Sequence, residues 1–151
     1  MNSANAGQQG EPGPGERSAK EVFTEFMDAM EDTVQRSGTT WPGWDRNDTA
    51  DYVSEPCGVH ARADGRLYQR QIKGGPVDDP QAAVERMKAH WESKGYKIGN
   101  IFDDGEPATG VQINARTPRG MLVQFSPTPN GSLIMVMGEC TLDPAARKKT
   151  T

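Results

Sequence analysis

The second half of the chain alternates apolar and polar residues in four short segments separated by turns. The segments cover residues 96–102, 110–116, 121–126 and 132–141, and the turns between them carry DDGEP, TPRG and TPNG. Glycine and proline in these turns supply the positive or fixed φ that a tight reversal needs. Consecutive strands joined by such short connections run antiparallel. The pattern therefore predicts an antiparallel meander.

The first half opens with a strong helix signal. Ser18 and Glu21 form an S-x-x-E capping box, and Gly38 is suited to end a helix. Between them, apolar residues recur at three- and four-residue spacing, so they share one face. These residues are Val22, Phe23, Phe26, Met27, Met30 and Val34.

The sequence between this helix and the meander indicates a loop, a strand and a second helix. Residues 39–64 are irregular, and residues 66–73 alternate as a strand with one fairly polar face. Asp79 is a helix N-cap with proline at the next position, and Gly95 ends the helix. Its inward positions are Val84, Met87 and Trp91.

These elements predict an α+β fold of two layers. We expect a four- to five-stranded antiparallel sheet with a C-terminal meander and both helices packed on one face. Residues 18–142 form the single domain of this 151-residue chain. Residues 1–17 lack aromatic and β-branched residues and predict a disordered tether, and the polar residues 143–151 predict a flexible tail.

Composition excludes several classes of protein. The net charge of −4 argues against nucleic-acid binding, which requires a basic surface. No run of 18 apolar residues is present, so a membrane-spanning helix is not expected. Two histidines and two cysteines are too few for a usual structural zinc site. No catalytic or nucleotide-binding motif is present, and we expect no cofactor and no metal.

The two cysteines allow two interpretations. Cys57 lies in the loop before the first predicted strand and Cys140 near the end of the last, so they are either isolated buried thiols or a disulfide. A disulfide would close a loop of about 84 residues, which stabilises a fold by roughly 4.5 kcal/mol in the chain-entropy model. We expect the disulfide, and with it folding outside the reducing cytoplasm.

Four short segments form a recognisable pattern along the chain: the Gly/Asn/Pro-rich residues 2–15, residues 65–69 with Tyr68, residues 91–95, and residues 138–140 with Pro56 and Cys57. Together these segments resemble the mature part of small actinobacterial envelope lipoproteins. The resemblance implies removal of a signal peptide and attachment to the cell membrane through an N-terminal lipid. The lipobox cysteine of that family is missing, and Met1 stands where it would be.

Two sets of residues are candidates for binding. Trp41, Trp44 and Tyr68 could stack on sugar rings or anchor a protein, although both tryptophans could instead plug the end of the sheet under the loop. Arg66 and Arg70, with Arg116 or Arg119 if the sheet brings them near, could accept an acidic partner. A simply solvated sheet face is the alternative for these arginines.

The remaining polar residues indicate no chemistry. His60 and His90 have no marked nucleophile or base as a partner. Asp103, Asp104 and Glu106 form an acidic turn with too few ligands for a calcium loop.

We therefore expect a non-catalytic, monomeric, extracytoplasmic lipoprotein domain, membrane-anchored or secreted. It would bind a protein or a cell-wall component through the open sheet face and the Trp41–Trp44 loop. One alternative is a carrier or enzyme with an apolar pocket between helices and sheet, lined by Met30, Met87, Met135 and Met137. Another is an inhibitor or immunity-type surface protein, including a phage-encoded one, with the acidic first helix as its interaction face.

Overall fold

The computed structural model describes residues 12–103 and 111–148. Two helices and six strands make up the domain, followed by a short 3-10 helix, Pro144–Lys148. The helices are α1 (Ala19–Arg36) and α2 (Pro80–Ser93). The strands are β1 (Val53–Val59), β2 (Arg62–Gly74), β3 (Lys97–Asp103), β4 (Val111–Arg116), β5 (Leu122–Thr128) and β6 (Gly131–Met137).

The six strands form one sheet in the order β1-β2-β6-β5-β4-β3, and every neighbouring pair is antiparallel. Strands β3 to β6 are the predicted meander. Strand β2 pairs with β6, which joins the hairpin of β1 and β2 to the meander in one sheet. Both helices contact one side of the sheet, so the predicted two-layer α+β fold is confirmed.

The sheet has one strand more than expected. Strand β1 lies in the stretch predicted as irregular, and it pairs with β2 from Val53 opposite Gln69 to Val59 opposite Arg62. It contains Pro56 and a bulge between Cys57 and Val59. Proline is tolerated there because β1 is an edge strand and one side of its backbone needs no ladder partner.

Both helices begin as their sequences predict. The Ser18 hydroxyl accepts from the Glu21 amide at 3.1 Å, and the Glu21 carboxylate accepts from the Ser18 amide at 3.0 Å. The Asp79 carboxylate accepts from the Ala82 amide at 3.1 Å at the start of α2. These bonds satisfy amides that have no partner within the helix.

The core lies between the helices and the covered face of the sheet. Its fully buried side chains alternate along the strands and recur every three or four residues along the helices, as sequence periodicity predicts. The largest are Trp91, Phe26, Phe125, Met27, Met30, Met87, Ile113 and Ile134.

Packing extends past the predicted ends of the domain. Leu142 donates its amide to the Gly15 carbonyl at 2.9 Å, which adds residues before Ser18 to the sheet end. Ala146 is 0% exposed and its carbonyl accepts from the Ser54 hydroxyl at 2.8 Å, so the segment after residue 142 also packs on the domain. The other parts of the predicted tether and tail, residues 1–11 and 149–151, lie outside the described residues.

The disulfide joins Cys57 of β1 to Cys140 after β6, with 6.0 Å between the two Cα atoms. This pairing confirms the prediction from the two cysteines. It ties the edge strand to the C-terminal segment, across β2 at Gly65.

Candidate functional site: the helix-free face of the sheet

Strand β6 lies at the centre of the sheet and is apolar on both of its faces. Ile134 and Val136 are buried beneath the helices. The residues that alternate with these two, Leu133, Met135 and Met137, point to the opposite side of the sheet, where they are half-buried. With Leu122 of β5, which pairs with Met137, they form an apolar strip on the helix-free face. We call Leu122, Leu133, Met135 and Met137 the sheet-face strip.

Amide side chains flank the strip on both sides. Met135 lies between Gln71 of β2 and Gln124 of β5, its two cross-strand neighbours. Met137 has Gln69 on the β2 side, and beyond it lies Val53 at the sheet edge, 52% exposed. The face therefore combines flexible thioethers with groups that both donate and accept hydrogen bonds.

The charges on this face are mostly positive. Lys73 pairs with Leu133 at one end of the strip, and Arg116 pairs with Leu122 at the other. Lys97 lies beside Arg116 on β3. Among the described side chains of this face, Glu55 on β1 is the one carboxylate.

This arrangement is suited to binding a surface rather than to chemistry on a small molecule. Apolar side chains that no second layer covers often mark sites of contact with another molecule. The tyrosines and tryptophans of known position pack on the helix side or in loops, and the sheet-face strip itself consists of leucine and methionine.

The two loop tryptophans lie on the helix side. Trp41 is buried, its indole N–H donates to Ser37 Oγ at 2.6 Å, and its ring covers Gly74 at the end of β2. Trp44 is half-buried and donates to Glu31 Oε1 at 2.6 Å. This packing matches the alternative interpretation of the sequence, in which both tryptophans plug the end of the sheet under the loop.

The predicted binding face of β2 points the other way. Arg66, Tyr68 and Arg70 lie on the helix side of the sheet, where Tyr68 and Arg70 are buried. They do not join Arg116, which lies on the helix-free face. These side chains therefore do not form one open face with Arg116, and binding of an acidic partner by Arg66 and Arg70 stays a prediction.

Tyr68 is held in an aromatic cluster rather than exposed. Its ring centroid is 5.0 Å from that of Phe23 and 4.9 Å from that of Tyr52, with edge-on geometry in both pairs. Burial raises the pKa of Tyr68 and of Tyr52, because the phenolate would lose its solvation there. The cluster anchors α1 to the sheet.

A groove of about 460 Å³ lies at the disulfide end of the sheet. Glu139 in its wall is buried and paired with Arg119 at 2.7 Å and with Arg17 at 3.1 Å. Arg17 also pairs with Glu25 at 2.8 Å, and that hydrogen bond, together with Glu139, raises the pKa of the guanidinium. These mutual pairs hold the N-terminal segment against the domain.

The four methionines expected around one pocket are divided between two sides of the sheet. Met30 and Met87 are fully buried in the core, whereas Met135 and Met137 belong to the sheet-face strip. They cannot line a common pocket between helices and sheet, which corrects that expectation.

The carboxylates of α1 contact other parts of the same chain. Asp28 pairs with Arg46 at 2.8 Å, and Asp32 contacts His90 Nε2 at 2.9 Å and Lys94 Nζ at 3.3 Å. This helix therefore organises the loop and α2. His60 lies in the β1–β2 turn with φ 56°, and most of the acidic turn, residues 104–107, lies outside the described residues.

Sequence reasoning missed where the alternate residues of β6 lie, which is on the helix-free face. The segment SLIMVM is apolar at nearly every position. A strand that is apolar on both faces, in a sheet predicted to carry helices on only one, leaves apolar side chains without a covering layer. That mismatch was the available signal for the sheet-face strip.

Comparisons with known proteins give no family for this chain. No family model matches it, and neither a curated protein nor a solved structure gives a significant match. No helix within residues 12–103 and 111–148 is long and apolar enough to cross a membrane. The Cys57–Cys140 disulfide indicates an oxidising, extracytoplasmic environment.

Proposed function

We propose that this protein is a membrane-anchored, extracytoplasmic binding domain that holds a partner against the helix-free face of its sheet. The observation that carries the proposal is the sheet-face strip, since apolar residues run along a central strand and no second layer covers them within residues 12–103 and 111–148. If this face contacted water alone, we would expect polar residues at the three consecutive outward positions of β6 that are apolar here.

The disulfide supports the extracytoplasmic part of the proposal. Its formation from the two cysteines of the chain leaves no free thiol among the described residues. The lipid anchor rests on the resemblance to envelope lipoproteins. Residues 12–17 join the domain at the disulfide end, so an anchor preceding them would hold that end toward the membrane.

The composition of the face favours a protein partner over a sugar polymer. Sugar rings are commonly bound by stacking on exposed aromatic rings, and neither the sheet-face strip nor the glutamines beside it supply one. Methionine and leucine beside glutamine suit a protein surface, because the thioethers adapt in shape while the amides complete hydrogen bonds.

Site-specific photo-crosslinking in the source cells tests the proposal. A crosslinker at Met135, in the middle of the strip, should trap one defined envelope component. The matched control places it at Glu85, an exposed position on α2. Met135→Glu should abolish crosslinking from a second probe at Gln124, because it puts a charge into the apolar contact.

Equal capture at Met135 and Glu85, or none at either, would contradict binding through this face. Membrane association is tested separately, by fractionating cells that express the gene with its complete upstream coding sequence. Recovery of the protein from the cytoplasm would refute the anchor.

A further inference from the structure

Arg70 is a buried cation that lies outside the helix-free face proposed to bind a partner. It lies on the helix side of β2, near the start of β1, and its side chain is only 4% exposed. The loop between α1 and β1 covers it. A buried guanidinium needs partners for its five N–H groups, since each unsatisfied donor keeps the penalty of lost hydration.

Only part of that guanidinium is satisfied. Nη2 contacts Asp51 Oδ2 at 3.0 Å and the Gly43 carbonyl at the long distance of 3.5 Å. The Trp44 ring lies over the guanidinium, 5.0 Å from its carbon to the ring centroid. Nε and Nη1 are buried and have no hydrogen-bond partner within the described part of the chain.

The one carboxylate at Arg70 is held weakly. Asp51 has a side chain that is 71% exposed, and ion pairs with such an exposed partner contribute little because water competes for the charge. It ends a run of five exposed residues, 47–51, without helix or strand. The core therefore does not depend on the side chains of this run.

We propose that Arg70 anchors a binding site for the carboxylate of a small ligand, and that Asp51 occupies this site in the free protein. Asp51 reaches one terminal nitrogen. A ligand carboxylate that displaces it can accept from two nitrogens side by side, the geometry that arginine favours. Trp44 forms the wall of the site and Arg70 its base.

The resident group argues for a carboxylate rather than a phosphate. A single guanidinium paired with one carboxylate is neutral, whereas a dianionic phosphate would leave an uncompensated charge beside an indole ring. The site lies on the opposite side of the sheet from the sheet-face strip, so failure of one proposal would not affect the other.

The test follows the Arg70 Nε–Hε signal by NMR while sodium acetate is added to the full chain. Acetate should shift this signal with saturation, and acetamide should not. N-acetylglycine compared with N-acetylglycinamide then shows whether a peptide C-terminus is also accepted. Asp51→Asn should tighten acetate binding roughly two- to fivefold, the size expected on removing an exposed ion pair.

Asp48→Asn is the matched control, because it removes the same charge from the same run of residues and has no contact with Arg70. It should leave acetate affinity unchanged. The proposal is overturned if Arg70 Nε–Hε does not respond to acetate, if Asp48→Asn and Asp51→Asn act alike, or if inorganic phosphate binds as well as acetate. None of these measurements uses a variant of Arg70, so none depends on whether such a variant folds.

Discussion

Gly65 lies on β2 beside the disulfide, where there is no space for a side chain. A Cβ at this position would lie 2.6 Å from Cys140 Sγ and 3.0 Å from the Cys57 carbonyl oxygen. We predict that Gly65→Ala destabilises the protein by about 1–3 kcal/mol, the usual range for overpacking. Urea unfolding of the oxidised protein measures this loss.

Gly43→Ala is the control, because a Cβ there meets no atom within 4 Å. It should change the free energy of unfolding by less than about 0.5 kcal/mol, as surface substitutions usually do. Equal stability of the two variants would show that the disulfide does not pass as closely over β2 as described.

Tyr68 gives the protein a predictable response to alkali. Burial raises the pKa of its phenol in the folded state, so the folded protein holds this proton more tightly than the unfolded chain. Its contribution to stability is complete below the unfolded pKa of about 10 and is lost as the pH rises through the folded value. Between about pH 9 and 11, the free energy of unfolding should therefore decrease less in Tyr68→Phe than in the parent protein.

Denaturant unfolding at a series of pH values measures this difference. Tyr52 and Tyr96 also have a raised pKa through burial, so the slope should decrease rather than disappear. An unchanged slope in Tyr68→Phe would mean that the phenol is not buried.

The sequence of β2 alone does not show which of its two alternating sets of residues faces the helices. Arg66, Tyr68 and Arg70 alternate with Leu67, Gln69 and Gln71, and neither set is clearly apolar. The aromatic cluster with Phe23 and Tyr52 decides the outcome, because burying Tyr68 there outweighs the cost of burying Arg70 under Trp44. Such contacts join residues far apart in the chain.

Among the elements, the start of α1 offers the clearest test. We predict that Ser18→Ala destabilises the protein by about 1 kcal/mol, because the Glu21 amide loses its acceptor and the capping box is broken. Thr24→Ala, at an exposed position within the helix, is the control and should cost nothing. Thermal or urea unfolding measures both, and an undiminished stability of Ser18→Ala would refute the cap.

Elements with a local signal were predictable and β1 was not. The capping box, the proline after Asp79 and the meander turns at residues 117–120 and 128–131 each act within a few residues, so they are visible in the sequence. Strand β1 contains Pro56 and Gly58, which disfavour strands in general. It forms because β2 is long enough to offer it a pairing edge, which is a property of the sheet rather than of the segment.

At the scale of the whole molecule, the disulfide and the ion pairs of Glu139 bind Arg17 and the segment after β6 to one end of the sheet. The cysteine pairing was predictable because only two cysteines are present. The position of the sheet-face strip was not, since it depends on which side of the sheet receives both helices. The methionines of β6 were accordingly placed in the wrong layer by sequence reasoning.

The state of Cys57 and Cys140 in protein isolated from its source cells tests the central claim most directly. Cells are quenched in acid, the protein is denatured and alkylated without a reductant, and its intact mass is measured. We expect no alkylation without reductant, and two alkyl groups only after reduction. Two alkyl groups without reductant would show that the chain resides in a reducing compartment, and would contradict an extracytoplasmic binding domain.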